Sequence, residues 1–389
     1  MNALILKPGK EKSFINRHPW IFSGAVKTLP KAEEGEIIQV RDYQNTLLGY
    51  GFFDPQSQII CRVFEFTSVE IKIDREFWCQ KINRAYILRK SIIKAGTNTY
   101  RLLHAEGDFI SGIICDIYDD LAVLQLLITG SQKLFADIVY ALNQLGFKYI
   151  FLKNKISPNQ SGKINLANGF LTNSIYEGKK IVFENDLKFL IDFEKGQKTG
   201  FFIDQRDNRA LLGYYSKDKK VLNAFSYTGG FSVYAAAGGA SEVHSVDISK
   251  EAIIACDENM KLNFENFSHT SIVDDCFEYL KNTTQNYDVI VLDPPAFAKN
   301  SRAVSNAARG YKELNLKAFQ KINPQGILFT FSCSQHIDRD LFRKIIFSAA
   351  SDAKRNVRIL HQLTQPADHP ISIYHPEGEY LKGLVLQVE

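Results

Sequence analysis

The sequence predicts an α/β protein. Its C-terminal half is expected to be a doubly wound parallel sheet, preceded by a small N-terminal β-barrel and an α+β middle region. Three observations lead there. From about residue 218, short apolar strands alternate with segments of helical spacing, which signals a parallel sheet covered by helices on both faces. Residues 1–70 carry only short β segments, broken by Gly35, Gly49, Gly51 and Asp54-Pro55. The region between mixes both element types. The expected domains are 1–70, 74–190 and 191–389, and 389 residues at 45% hydrophobic content suffice for two or three cores.

In chain order, EIIQVRD, LLGYGFF and IICRVFEF are the barrel strands. Residues 74–94 space their apolar side chains as a helix does. LAVLQLLI, YIFLKN and IVFENDLKFLID read as strands, with a helix near 131–145. KKVLNAF then opens the parallel sheet, and SVYAAAGG follows as a helix. EVHSVD is the next strand, and Ser249 is placed to cap the helix after it. SIVDDCF, YDVIVLDPP and GILFTFSC are further strands, with helices near 309–322 and 338–354, and YLKGLVLQV closes the sheet.

Composition excludes several classes. No apolar run reaches the 18 residues of a membrane span. The N-terminus turns polar too early for a secretory signal, so a cytoplasmic location is expected. Cys61, Cys79, Cys115, Cys256, Cys276 and Cys333 form no CxxC pair, which argues for reduced thiols and against a metal site. Net charge is only +4, yet residues 1–31 hold Lys7, Lys10, Lys12, Arg17, Lys27 and Lys31 against Glu11 alone. Such a patch suits a phosphate backbone, and equally suits a solvated face.

Ligands of open parallel sheets bind beyond the carboxyl ends of the strands. Those ends read Asn223-Ala224-Phe225 followed by Ser226-Tyr227-Thr228-Gly229-Gly230, then Asp247, Asp274-Asp275-Cys276, Asp293-Pro294-Pro295 and Ser332-Cys333-Ser334. One such end is an ordinary turn or cap. Several on a single edge point to a nucleoside-type ligand. GxGxxG is absent and no basic residue waits for a pyrophosphate, so a nicotinamide dinucleotide fits poorly. S-adenosylmethionine fits better: Asp247 for the ribose, Asp275 and the Cys276 backbone for the adenine edge, Asn223 to Gly229 for the loop.

Asp293-Pro294-Pro295 then stands where a transferred methyl emerges, with Phe297 placed to stack on a base. Cys333 has two readings. A cysteine after ILFTF is commonly a small buried hydrophobe. Alternatively, its thiolate adds to C6 of a pyrimidine and makes C5 nucleophilic, with Asp293 as the acid at the base edge. His336, three residues on, is either its neighbour or the start of a turn.

Several stretches in order along the chain resemble one family: RHPWIFSGAV (17–26), GQKTGFFIDQRDNR (196–209), FSYTGGF (225–231), LDPPAF (292–297), RGYKELN (309–315), TFSCS (330–334), ADHP (367–370) and EYLKG (379–383). The family is that of the class I (Rossmann-like) methyltransferases of large-subunit ribosomal RNA that carry an N-terminal PUA domain and make 5-methylcytosine. The resemblance implies S-adenosylmethionine as cofactor and large-subunit ribosomal RNA as partner. It implies a PUA domain over 1–70 whose Lys7, Lys10, Lys12 and Arg17 hold RNA. It implies that 196–209 forms a hairpin in which Phe202 and Gln205 close over the cofactor and Lys198, Arg206 and Arg209 meet RNA or brace carboxylates. Cys333 maps onto the family's nucleophile and Asp293 onto its base-binding acid. Ala296 departs from a common Lys, and 106–116 and 149–155 depart in the middle region. Methylation of uracil C5, methylation of a base nitrogen with Cys333 structural, and a binding protein with a vestigial cofactor fold stay open. A homodimer is compatible with the sequence, and no membrane partner is expected.

Overall fold

The computed structural model describes residues 2–154, 166–172, 174–298 and 300–389. Lys155, at the end of the 149–155 stretch, lies outside them. Contacts divide the chain into two units. The first is Met1–Lys179 with Asp192–Gly200 and Ala367–Gly378; the second is Lys180–Ile191, Phe201–Pro366 and Glu379–Glu389. Neither is one continuous stretch.

Among its described residues, the first unit holds two sheets. Six strands pair in the order Trp20–Phe22, Ile59–Phe66, Leu47–Phe53, Ile37–Arg41, Ala3–Leu6, Val26–Thr28. The two outer strands are joined directly by the turn Ser23–Ala25, so the sheet curls back on itself around Leu4, Leu6, Ile38, Val40 and Val63. The second sheet has five strands between Thr99 and Phe170, and the helix Arg75–Ile92 starts at Asp74, whose side chain accepts from Phe77 N. Two arginines packed here are paired with carboxylates. Arg89 meets Asp108 and the Asp368 carbonyl, and Arg101 meets Asp116 through two nitrogens. Thr199 donates to the same Asp116 at 2.6 Å, which ties the 192–200 segment down.

The second unit is built on seven strands: β1 (Lys220–Ala224), β2 (Glu242–Asp247), β3 (His269–Val273), β4 (Tyr287–Leu292), β5 (Ile322–Ser332), β6 (Val357–Leu363) and β7 (Lys382–Val388). Their order is β3-β2-β1-β4-β5-β7-β6. Helices are α1 (Arg206–Tyr215), α2 (Gly230–Ala237), α3 (Lys250–Asn263), α4 (Cys276–Asn282), α5 (Val304–Lys321) and α6 (Arg339–Asp352). Alternation along the strands divides the core. Leu222, Ile290, Leu292 and Leu328 face one side with α4, α5 and α6 residues; Val221, Val289, Val291, Phe329 and Phe331 face the other with α1 and α2 residues.

The structure corrects several elements. The sheet is not wholly parallel: β7 inserts antiparallel between β5 and β6. The edge strand β6 escaped notice because most of its side chains, Ile359 and Leu360 among them, are exposed and show no period-two pattern. The third strand stops at Val273, and Asp275 caps α4 instead of ending the strand. Residues 196–209 are not a hairpin. Ile203–Gln205 is a short 3-10 turn running into α1. The hairpin is Lys180–Glu184 with Leu187–Ile191, turned by Asn185 and Asp186 at φ 50° and 66°, the backbone that suits a two-residue hairpin turn.

Candidate active site

Strands β1, β2, β4 and β5 run parallel, so their carboxyl ends lie along one edge. The chain winds outward one way through β2 and β3 and the other way through β4 and β5. The switch falls between β1 and β4, where an open sheet leaves a crevice.

The loop after β1 is strained. Phe225, Tyr227 and Gly229 all have left-handed backbones, at φ 61°, 46° and 79°. Neighbours hold it there. Phe225 N donates to Cys276 Sγ at 3.1 Å, Ser226 N donates to Val246 O, and the Thr228 carbonyl accepts from Asn259 Nδ2 at 2.9 Å. A Cβ on Gly229 would lie 3.1 Å from Cys256 Cβ, with Cys256 Sγ closer still. Glycine is therefore required there twice, by φ and by close approach.

Asp247 ends β2 with both carboxylate oxygens oriented. Oδ1 accepts from Ser249 N and Oδ2 from Tyr227 N, each at 2.9 Å. Each oxygen retains acceptor capacity for a vicinal diol. Ser226 Oγ and Asn223 Oδ1 are buried without hydrogen-bond partners beside this loop. Buried polar atoms are seldom left so, and such orphans suit a polar ligand. The residues present fit S-adenosylmethionine: Asp247 would hold the ribose and the 225–229 backbone would line the amino-acid end.

Other expected cofactor residues sit less simply. Asn223 points beneath α2, where its Nδ2 donates to Ser232 Oγ at 2.8 Å. Gln205 is buried and its Oε1 accepts from Asn208 at 2.6 Å. Phe202 packs edge-on against Tyr227 at 5.1 Å. Asp275 is exposed and commits Oδ1 to Phe277 N and Glu278 N. The Cys276 thiol is buried, and burial pushes its pKa up to about 12. Its side chain braces the loop and offers nothing to a ligand.

Asp293 and Cys333 come together. Each directly follows one of the adjacent strands β4 and β5, and the Cys333 thiol lies 3.9 Å from the Pro294 carbonyl. Cys333 is half-buried, whereas Cys61, Cys115, Cys256 and Cys276 are buried. The serines flanking it are fully buried, and Ser334 Oγ meets Tyr311 OH at 3.0 Å and Ala298 N at 3.2 Å. Phe297 is only half-free to stack, because one face packs on Tyr311 at 4.5 Å.

The sequence reading missed three contributors. Lys382, at the start of β7, donates to the Ser334 carbonyl at 2.8 Å and places a cation near Cys333. Tyr380 donates to Asp204 at 2.7 Å. Asn259 ties the loop after β1 to the 187–191 strand, accepting from Leu190 N at 2.7 Å. A polar residue on the inner face of α3 was the available signal for Asn259; Lys382 and Tyr380 had none outside the EYLKG stretch.

Arg206 is corrected: it is 6% exposed, so its guanidinium is not presented to RNA. Arg209 is buried too, and braces a carboxylate. It makes three hydrogen bonds to buried Glu184, lies 4.5 Å over the Phe201 ring and donates to the Phe202 carbonyl. In the first unit, Lys10, Lys12 and Arg17 are exposed, Lys7 reaches the Gly24 carbonyl at 3.0 Å, and Lys198 is exposed at φ 50°.

Comparison with known proteins adds to this geometry. Residues 132–373 match the S-adenosylmethionine-dependent methyltransferase family, and residues 4–66 match the PUA-like domain. A protein of Tolumonas auensis called ribosomal RNA large subunit methyltransferase I is 42% identical over 393 residues, covering 99% of both chains. One of the same name from Escherichia coli is 41% identical over 392 residues, again 99% of each. Among solved structures, a putative methyltransferase from Streptococcus mutans aligns over both whole chains with a TM-score of 0.85 at 22% identity. A putative methyltransferase complexed with SAH does so at 0.86 and 22%.

Proposed function

The chain belongs to the S-adenosylmethionine-dependent methyltransferases with an N-terminal PUA-like domain, the family of ribosomal RNA large subunit methyltransferase I, and from that premise we propose that it methylates C5 of a cytosine in large-subunit ribosomal RNA. The supporting observation is the approach of Cys333 to the Asp293-Pro294-Pro295 loop at the cofactor edge.

When bound, S-adenosylmethionine supplies an electrophilic methyl. The residues do the rest. The Cys333 thiolate forms a C–S bond at C6, and the displaced π electrons make C5 nucleophilic while Asp293 holds the N3 and amine edge. C5 would take the methyl, with the pair of the broken S–CH3 bond left on the donor's sulfur; a base then removes the C5 proton, and the C6–S bond pair returns to Cys333 as the C5=C6 double bond re-forms. The target base must leave its stack to reach both groups. Exposed Lys7, Lys10, Lys12, Arg17 and Lys198 are assigned to the RNA backbone, where they position without reading sequence. Such work places the enzyme in the cytoplasm, with its substrate.

The test is ribosomal RNA carrying 5-fluorocytidine. Fluorine cannot leave C5 as a proton does, so a denaturation-resistant adduct should accumulate on Cys333 and vanish in Cys333→Ala. An adduct with 5-fluorouridine alone would move the target to uracil. No adduct with either, alongside full activity of Cys333→Ala, would leave nitrogen methylation and a structural thiol.

A further inference from the structure

A nucleophilic thiol needs help to ionise. The fold brings a cation from elsewhere. Lys382 is 4% exposed, sits opposite Ser332 in the β5–β7 pairing and donates to the Ser334 carbonyl. It therefore touches the chain on either side of Cys333. Burial pushes its pKa down, while Cys333 and Glu379 push it back up; Arg339 and Asp338, from the start of α6, act in opposite senses. Arg339 is itself held by Glu379. Tyr311 on α5 also feels Cys333, and burial keeps that phenol neutral. Asp293 precedes Pro294, whose carbonyl lies 3.9 Å from the thiol.

An ammonium taken out of water needs compensation, and one carbonyl is little for three N–H donors. A thiolate next to it supplies the missing charge. We propose that Lys382 is a positioning residue for the reaction, held by the Ser334 carbonyl so that its ammonium favours the thiolate form of Cys333. The S–H bond breaks, the proton goes to solvent, and Lys382 keeps all three of its own. The inference rests on Cys333 being the nucleophile.

The experiment measures alkylation of Cys333 by iodoacetamide from pH 5.5 to 9, read on its own peptide by mass spectrometry. In the wild-type protein the midpoint should fall about one unit or more below the ordinary thiol value of roughly 8.5. Lys382→Met should raise the midpoint by about a unit, slowing alkylation about tenfold on the acid side. The acid limb of single-turnover methylation should move with it. Lys382→Arg should restore both profiles, which a purely structural role would not predict. A wild-type midpoint at or above the ordinary value overturns the proposal, whatever the variants do. So does an unchanged midpoint in a Lys382→Met protein that still binds S-adenosylhomocysteine. The nucleophile assignment fails separately, by absence of the 5-fluorocytidine adduct, because alkylation reports ionisation whether or not Cys333 attacks a base.

Discussion

Replacing Asp247 with Asn tests the cofactor edge with little change of shape. In the native loop both carboxylate oxygens accept, Oδ1 from Ser249 N and Oδ2 from Tyr227 N at 2.9 Å. Two backbone donors therefore need two acceptors on one side chain. An amide offers only one, so its NH2 must face a backbone N–H or turn away from the loop. The variant also loses the charge that strengthens a bond to a ribose hydroxyl. A hydrogen bond to a charged group contributes about 1.5–3 kcal/mol. Losing one outright and weakening a second amounts to about 2–4 kcal/mol, or roughly 30- to 1000-fold in affinity. Calorimetric titration with S-adenosylhomocysteine reads this directly, and the melting temperature without ligand checks the fold. Affinity within about threefold of wild type in a folded variant would falsify the ribose assignment.

Three further outcomes are expected. Gly229→Ala must adopt φ near 79° and displace Cys256, so S-adenosylhomocysteine binding should be lost while far-UV dichroism is kept; undiminished binding would show that the loop has another conformation. Arg209→Met leaves buried Glu184 without its charge partner, which costs about 3–5 kcal/mol; thermal unfolding should fall by several degrees, with part recovered in the Glu184→Gln, Arg209→Met double variant, and a single-variant loss below about 1 kcal/mol would count against the pair as an anchor of the Phe202 turn. Lys10→Glu with Lys12→Glu should weaken ribosomal RNA binding and lower the salt slope of log K by about 0.7–0.9 for each phosphate no longer neutralised, and an unchanged slope would remove these residues from the interface.

What could be read from the sequence divides along a physical line. Strands β1, β4 and β5 carry apolar stretches that are largely buried, so each announced itself locally, and polar residues at the strand ends marked the edge before any strand order was known. Ser249 was legible for the same reason: its hydroxyl accepts from Ala252 N three residues on. Strand β6 was illegible because its mostly exposed side chains show no period-two alternation. Arg206 was misjudged because charge predicts exposure only on average, and α1 turns it inward next to Arg209.

The cysteines sharpen the point about the site. Cys276 and Cys333 both stand at strand ends in the sequence, where each is expected near the ligand. The structure separates them by what surrounds the sulfur. Cys276 opens α4 with its thiol turned inward, accepting from Phe225 N and facing the Val246 carbonyl, and burial pushes its pKa up to about 12. Cys333 directly follows β5 where the chain leaves the core, near the Pro294 carbonyl and within the influence of Lys382. That lysine lies far along the chain, and reaches the thiol only because β7 runs back antiparallel against β5. A short-range motif can name a nucleophile, but the group that charges it was set by strand order.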